Sequence, residues 1–208
     1  MALIIVAGAS GQHAAVVYEA AILSGMMVLG FATVGNAEPP SMFDCPWLGS
    51  VGDIAPPQIA KGNEFVVACG SNEHRRQQSA TLSMLGATLR SIHHPAAIVS
   101  PSARIGAGSV ILAGAIVGPR TVVGVATIIN HAASIDHDCK VGDFTNVSPG
   151  ARFAGCVEAG AGVFVGLNAS ILQGIKLGEN SVIGAGAVVI RDVLPGETVV
   201  GVPAQPLR

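Results

Sequence analysis

The chain of 208 residues is short of aromatic and charged side chains: aromatics make up 4% and charged residues 12%. Its hydrophobic half must therefore pack as small and β-branched groups. The net charge of −2 gives no electrostatic case for nucleic acid as a partner. Cys45, Cys69, Cys139 and Cys156 form no C-x-x-C pair, which argues against a disulfide framework or a zinc ribbon. They read as free thiols in a reducing cytosol, so a cytoplasmic protein is expected. The N-terminal MALIIVAGASG has no basic start and breaks at Gly8, unlike a signal peptide, and no stretch is long and apolar enough for a membrane span. What is abundant is glycine (27 residues) beside Val and Ile, a mixture suited to turn-dense β-structure.

Two patterns divide the chain. Residues 1–92 alternate strand-like and helix-like stretches. ALIIVA reads as a strand, GASGQ as a turn and residues 13–24 as a helix stopped by Gly25. MMVLGFATV is a second strand, residues 35–62 a Pro/Gly-rich connection and EFVVACG a third strand. Asn72 is expected to cap a helix reaching about residue 85, and ATLRSI to form a fourth strand. This order predicts a small parallel βαβ sheet.

Residues 93–208 follow a different rule. From Val99, every sixth residue to Val189 is apolar without a break. A small residue mostly lies two places before each, as at Ala103, Ser109, Thr121 and Cys139. Gly often comes one place after, as at Gly106, Gly118 and Gly142, where it is read as serving the turn. A period of six fits neither a helix nor a single strand. It predicts a β-solenoid whose three-hexad coils place residues 18 apart above one another, giving about five coils over residues 95–194.

One turn of this solenoid carries chemistry. In IDHDCKVGDF, residues 135–144, His137 lies between Asp136 and Asp138. An imidazole can take a proton near neutral pH, and an adjacent carboxylate stabilises the cation that results. The 18-residue step puts Pro119 below His137, with Gly155, Gln173 and Arg191 above. A bare glycine over the base would leave room for an incoming group and offer a backbone N–H to a developing oxyanion. His131 falls on the preceding face and cannot meet His137 within one chain, so no metal site is expected.

Several stretches together resemble a known family. They are GASGQH at 8–13, CGSNEHRR at 69–76, INHAASIDHDCKVGDFTNVSPGA at 129–151 and VGVPA at 200–204. The chain is similar to the hexapeptide-repeat nucleotide-sugar acetyltransferases, which include sialic acid O-acetyltransferases and UDP-4-amino-sugar N-acetyltransferases. The resemblance implies a left-handed parallel β-helix, a homotrimer with active sites between subunits, and acetyl-CoA as co-substrate without a metal. It implies catalysis by His137 with Asp138 and Gly155, and acetyl-CoA contacts at Asn146, Gly155, Leu167 and Ala185. Ser10, Gly11, Gln12, Thr33 and Gly70 correspond to contacts of the nucleotide sugar. Asn146 replaces a second histidine of some relatives, and Thr33-Val34 replaces a frequent acidic pair. Gln205 stands where relatives usually have Lys or Arg, leaving Arg191 or Arg208 to meet the CoA 3′-phosphate. The expected activity is acetylation of the 4-amino group of a nucleotide-linked deoxy sugar for surface glycans. O-acetylation is the alternative, and a metal-dependent or non-catalytic trimer is the more distant one.

Overall fold

The computed structural model describes residues 2–8, 11–34 and 45–207. The chain forms two compact units, Met1–Pro95 and Ala96–Arg208.

The first unit is a parallel sheet with helices. Its strands are β1 (Leu3–Ala7), β2 (Val28–Thr33), β3 (Trp47–Ser50) and β4 (Glu64–Ala68), in the order β3-β2-β1-β4. β1 is buried at every position, as a central parallel strand covered on both faces must be. It pairs with β2 on one side and β4 on the other, Val6 lying between Ala32 and Val67. Helix α1 (Gln12–Leu23) buries Ala14, Val17, Ala20 and Ala21, one apolar stripe at helical spacing.

Part of the stretch expected to be only a connection is structured. Within residues 45–62 lie β3 and helix α2 (Val51–Ala60), and α2 contains Pro56 and Pro57. Proline normally marks a helix stop because it lacks an N–H and its ring crowds the preceding turn. Here the Ser50 hydroxyl caps the helix by accepting from the Asp53 N–H (3.4 Å), and Val51 and Ala55 are buried. EFVVA is thus the fourth strand, not the third. Helix α3 (Asn72–Met84) is capped by Ser71 rather than Asn72: the Ser71 hydroxyl accepts from the His74 N–H at 3.4 Å. ATLRSI does not form a full strand. It contributes a single parallel bridge, Phe65 to Leu89, and the start of a two-residue strand at Ile92–His93.

The second unit is a left-handed parallel β-helix. Two-residue rungs recur every six residues from Ile98–Val99 to Val188–Val189. Up to Ser170–Ile171 each pairs in parallel with the rung 18 residues on, as Val122 with Lys140 and Ser134 with Arg152. The rungs stack as three sheets, one six-stranded (from Ile98 to Val189), one five-stranded (from Arg104 to Leu177), and a third that includes Val110–Ile111 and closes at Thr198–Val200. The periodic apolar residues point inward: Ile111 to Val189 are all buried at this spacing, and Val99 and Ile105 pack against the same core. From Ser109 onward the small residues before the rungs are buried too, and Ser109, Thr121, Thr127 and Thr145 donate their hydroxyls to carbonyls 15 residues ahead.

Glycine serves the solenoid in a way the spacing did not reveal. Where glycine follows the large residue, stacking requires it. A Cβ on Gly142 would lie 2.5 Å from the Gly160 carbonyl carbon. The left-handed turn conformation falls two residues later, at Gly108, Gly114, Arg120, Ala126, Ala132, Asp138, Phe144 and onward every six residues.

Candidate active site

Two groups of candidate residues stand out, one in each unit. In the first unit, β1 lies between β2 and β4, so the chain leaves its C-terminal end in one direction and returns beside it from the other. Open parallel sheets bind ligands in the crevice outside such a switch point. The residues there are Gly11, buried and left-handed at the N-terminus of α1, the exposed Gln12, and the exposed Gly70 after β4. Ser10 lies outside the described residues. The β4 loop is pinned from behind by Arg75, only 1% exposed, whose guanidinium donates to the carbonyls of Cys69 (2.9 Å) and Gly70 (3.3 Å) and to the Asn72 side chain (2.8 Å). Burial pushes the Arg75 pKa down to about 10, so it remains a cation at neutral pH. Thr33, at the end of β2, is buried, and its hydroxyl accepts from the Trp47 indole N–H at 3.1 Å.

In the second unit, His137 and Asp138 lie on the corner between the six-stranded and five-stranded sheets, after the rung Ser134–Ile135. The turn is fixed from three sides. Asp136 turns its carboxylate back to accept from the His137 N–H at 2.7 Å. The Asp138 N–H donates to the Pro119 carbonyl in the coil below, and the His137 carbonyl accepts from the Cys156 N–H above, both at 2.9 Å. The two aspartates therefore do different work: Asp136 fastens backbone, and Asp138 addresses the ring.

The ring itself is held by two neighbours. His137 Nδ1 lies 2.7 Å from Asp138 Oδ2. Against a carboxylate, Nδ1 is the nitrogen that carries hydrogen, which leaves a lone pair on Nε2. The opposite edge packs under Gly155, where a Cβ would lie 2.6 Å from both Cε1 and Nε2. The space expected above the base for an incoming group is thus partly filled by the imidazole itself. Gly155 is buried, and its N–H has no partner among the described residues. The His137 side chain is 44% exposed, so solvent and substrate can reach it.

Two further residues join this corner, neither singled out from sequence. Arg120 grips Asp138 with two hydrogen bonds, Nε to Oδ1 and Nη2 to Oδ2, each 2.6 Å. Arg120 first, and His137 second, hold the Asp138 carboxyl well below the usual carboxylate range. Cys156 is exposed, and His137, Asp138 and Cys156 each offer a ligand atom within 4.8 Å of the others. Both Asp138 oxygens are already engaged, so a cation there would compete with the Arg120 guanidinium. The signal for both residues was the 18-residue step applied to Asp138 as well as to His137: 120, 138 and 156 occupy one column. Cys139 points inward, and burial pushes its thiol up to about 11, which makes it inert.

The expected acetyl-CoA contacts do not gather with His137 in one chain. Leu167 and Ala185 share the column of His131 on the corner between the third sheet and the six-stranded one, and both are exposed. Asn146 lies on a rung of the third sheet and is buried.

Known proteins show the same architecture. Residues 157–191 match the model of the hexapeptide repeat of succinyl-transferase. Perosamine N-acetyltransferase from Caulobacter crescentus, solved with CoA and GDP-perosamine, is 31% identical. That alignment covers 100% of this chain and 98% of that one, with a TM-score of 0.93. The acetyltransferase domain of PglB from Neisseria gonorrhoeae is 36% identical over 100% of both chains, with a TM-score of 0.89. The chain belongs to the hexapeptide-repeat nucleotide-amino-sugar N-acetyltransferases.

Curated relatives match over less. A tetrahydropyridine-dicarboxylate N-acetyltransferase from Clostridium perfringens is 48% identical over 46 residues, which is 22% of this chain and 20% of that protein. The first curated relatives are matched over no more than 32% of their own length. Among the described residues, the corner at His137 unites an imidazole without a partner at Nε2, a paired carboxylate and an unpartnered backbone N–H. No helix among the described residues is long and apolar enough to cross a membrane.

Proposed function

We propose that the protein transfers an acetyl group from acetyl-CoA to the 4-amino group of a nucleotide-linked deoxy sugar. The observation that carries this reading is the imidazole of His137, held at Nδ1 by Asp138, free at Nε2 and lying beneath the bare backbone of Gly155. An amine attacking a thioester becomes cationic as the C–N bond forms. His137 Nε2 takes the proton, Asp138 stabilises the imidazolium, and CoA leaves as the thiolate. The Gly155 N–H is the donor for the oxyanion of the tetrahedral intermediate. Nothing in this sequence of steps calls for a metal.

The nucleotide sugar is assigned to the first unit. Gly11 and Gln12 stand at the N-terminus of α1, a favourable place for phosphate, and Ser10 is assigned to the same contact. Gly70 and Thr33 flank the same strand ends. Acetyl-CoA is assigned to His137's corner together with Asn146, Leu167 and Ala185. Because these three lie apart from His137 within one chain, the reading includes a homotrimer whose neighbouring copies complete each site. The CoA and GDP-perosamine bound to the Caulobacter enzyme support the two substrate classes. Arg191, in the column of His137, or Arg208, outside the described residues, meets the CoA 3′-phosphate. The enzyme acts in the cytoplasm on precursors of a surface glycan.

The test is a panel of guanine-, uracil- and thymine-linked 4-amino-deoxy sugars with acetyl-CoA, each beside its hydroxyl counterpart. CoA thiol release should be seen with an amino sugar and be at least tenfold slower with its hydroxyl analogue. Preference for the hydroxyl sugars would make the protein an O-acetyltransferase, and release with none of them would remove the reading. Light scattering checks the trimer; a stable monomer would contradict the shared site.

A further inference from the structure

We propose that Arg120 is a positioning residue for acyl transfer, fixing Asp138 so that the His137 ring keeps its hydrogen on Nδ1 and its lone pair on Nε2. The inference rests on the acetyltransferase reading and extends its machinery one coil below the histidine.

Three features carry it. The first is geometry. Arg120 meets Asp138 through both oxygens, a fork-to-fork pairing that fixes the plane of the carboxylate and not merely its charge. Asp138 Oδ2 is shared between Arg120 Nη2 and His137 Nδ1, so the direction of the carboxylate sets the direction of the ring. The second is the rigid platform beneath. Arg120 and Asp138 occupy the same left-handed turn position one coil apart, with φ of 58° and 59°. The Arg120 N–H donates to the Ser102 hydroxyl at 3.0 Å, in the coil below again, and the Asp138 N–H to the Pro119 carbonyl. The two side chains thus face each other from backbones already tied together.

The third is exposure. The side chains of Arg120 and Asp138 are 64% and 35% exposed. An ion pair so open to water does little for stability. A residue kept only for the fold would find little to do here, whereas a group that holds a general base in one tautomer needs direction more than burial. Asp138 also needs a partner for this reason: a carboxylate held by one hydrogen bond alone can rotate off the ring, and the ring is itself 44% exposed and able to turn.

The test compares the full-length protein with Arg120→Ala, Arg120→Lys and Asp138→Asn. In Arg120→Ala, kcat should fall about tenfold while both KM values and the melting temperature stay close to the parent's. Millimolar guanidinium chloride should restore turnover to Arg120→Ala but not to Asp138→Asn. Lysine, a point charge without the fork, should rescue only in part. Added to Asp138→Asn, the arginine change should cost nothing further, because Arg120 acts through that carboxylate. Nitrogen-15 spectra of His137 give a readout without substrate: one Nδ1–H tautomer in the parent, a mixture of two in Arg120→Ala. Unchanged turnover with an unchanged tautomer would overturn the proposal, as would a loss that is additive with Asp138→Asn. If the parent acetylates no amino sugar but the tautomer still mixes, the positioning role stands and the assigned activity falls.

Discussion

Two neighbouring turns of the solenoid share one backbone and differ in everything that matters for chemistry. The turn at 136–139 carries His137; the turn at 142–145, one hexad later, carries Asp143 at the same position. Both continue into left-handed residues, Asp138 and Phe144, with φ of 59° and 58°. Asp143 spends its carboxylate on the coil below, accepting from the Val125 N–H at 2.7 Å. His137 instead keeps Nε2 free, because its vertical neighbours are Gly155 above and the Arg120–Asp138 pair beside it. A titratable side chain on a solenoid turn becomes structural or chemical according to what stands 18 residues away as well as beside it in its own hexad.

That contrast can be broken from the histidine side first. His137→Ala should lower turnover by about 10²- to 10⁴-fold, the usual worth of a general base, with the oligomeric state unchanged in light scattering. Gly155→Ala comes next. Its methyl would lie 2.6 Å from two ring atoms, and the exposed ring would swing out instead of the coil yielding. Turnover should drop about a hundredfold, with only a small change in unfolding midpoint.

Asp138→Asn should cost about tenfold in kcat with both KM values close to the parent's, since the ring loses the acceptor that orients it. The native Asp138 carboxyl is depressed, so the small stability its exposed pairing adds is present above the unfolded carboxylate value of about 4 and is lost only as pH falls well below that. Between about pH 5 and 9 the pair is constant, and acid loss of turnover in that window belongs to another group.

The smallest effect sharpens the comparison from the other turn. Asp143→Ala should leave turnover intact and cost about 1 kcal/mol in chemical denaturation, the worth of one hydrogen bond. A fall in turnover as large as that of Asp138→Asn would erase the distinction between the two turns.

Much of this was legible in the chain because the solenoid repeats its demands. Every inward position needs bulk, so an unbroken apolar residue every six places could be read directly. The His137–Gly155 column followed from arithmetic alone. Other parts were hidden for physical reasons. The glycines at 106, 118 and 142 looked like turn formers, yet their requirement comes from a backbone one coil away. Pro56 and Pro57 masked a helix whose Ser50 cap and buried Val51 and Ala55 outweigh two missing donors. Arg120 and Cys156 passed unnoticed because an isolated arginine and cysteine look like ordinary surface, and only stacking on Asp138 gives them meaning. Asn72 looked like a cap, but Ser71 holds that place and frees Asn72 for the Arg75 guanidinium.

The steady-state rate of the double variant His137→Ala/Gly155→Ala, set beside the two single variants, tests the vertical pairing most directly. If Gly155 matters because the imidazole lies against it, the added methyl costs about a hundredfold in the parent and nothing once the ring is gone. Losses that simply multiply, or a Gly155→Ala enzyme as fast as the parent, would contradict the account.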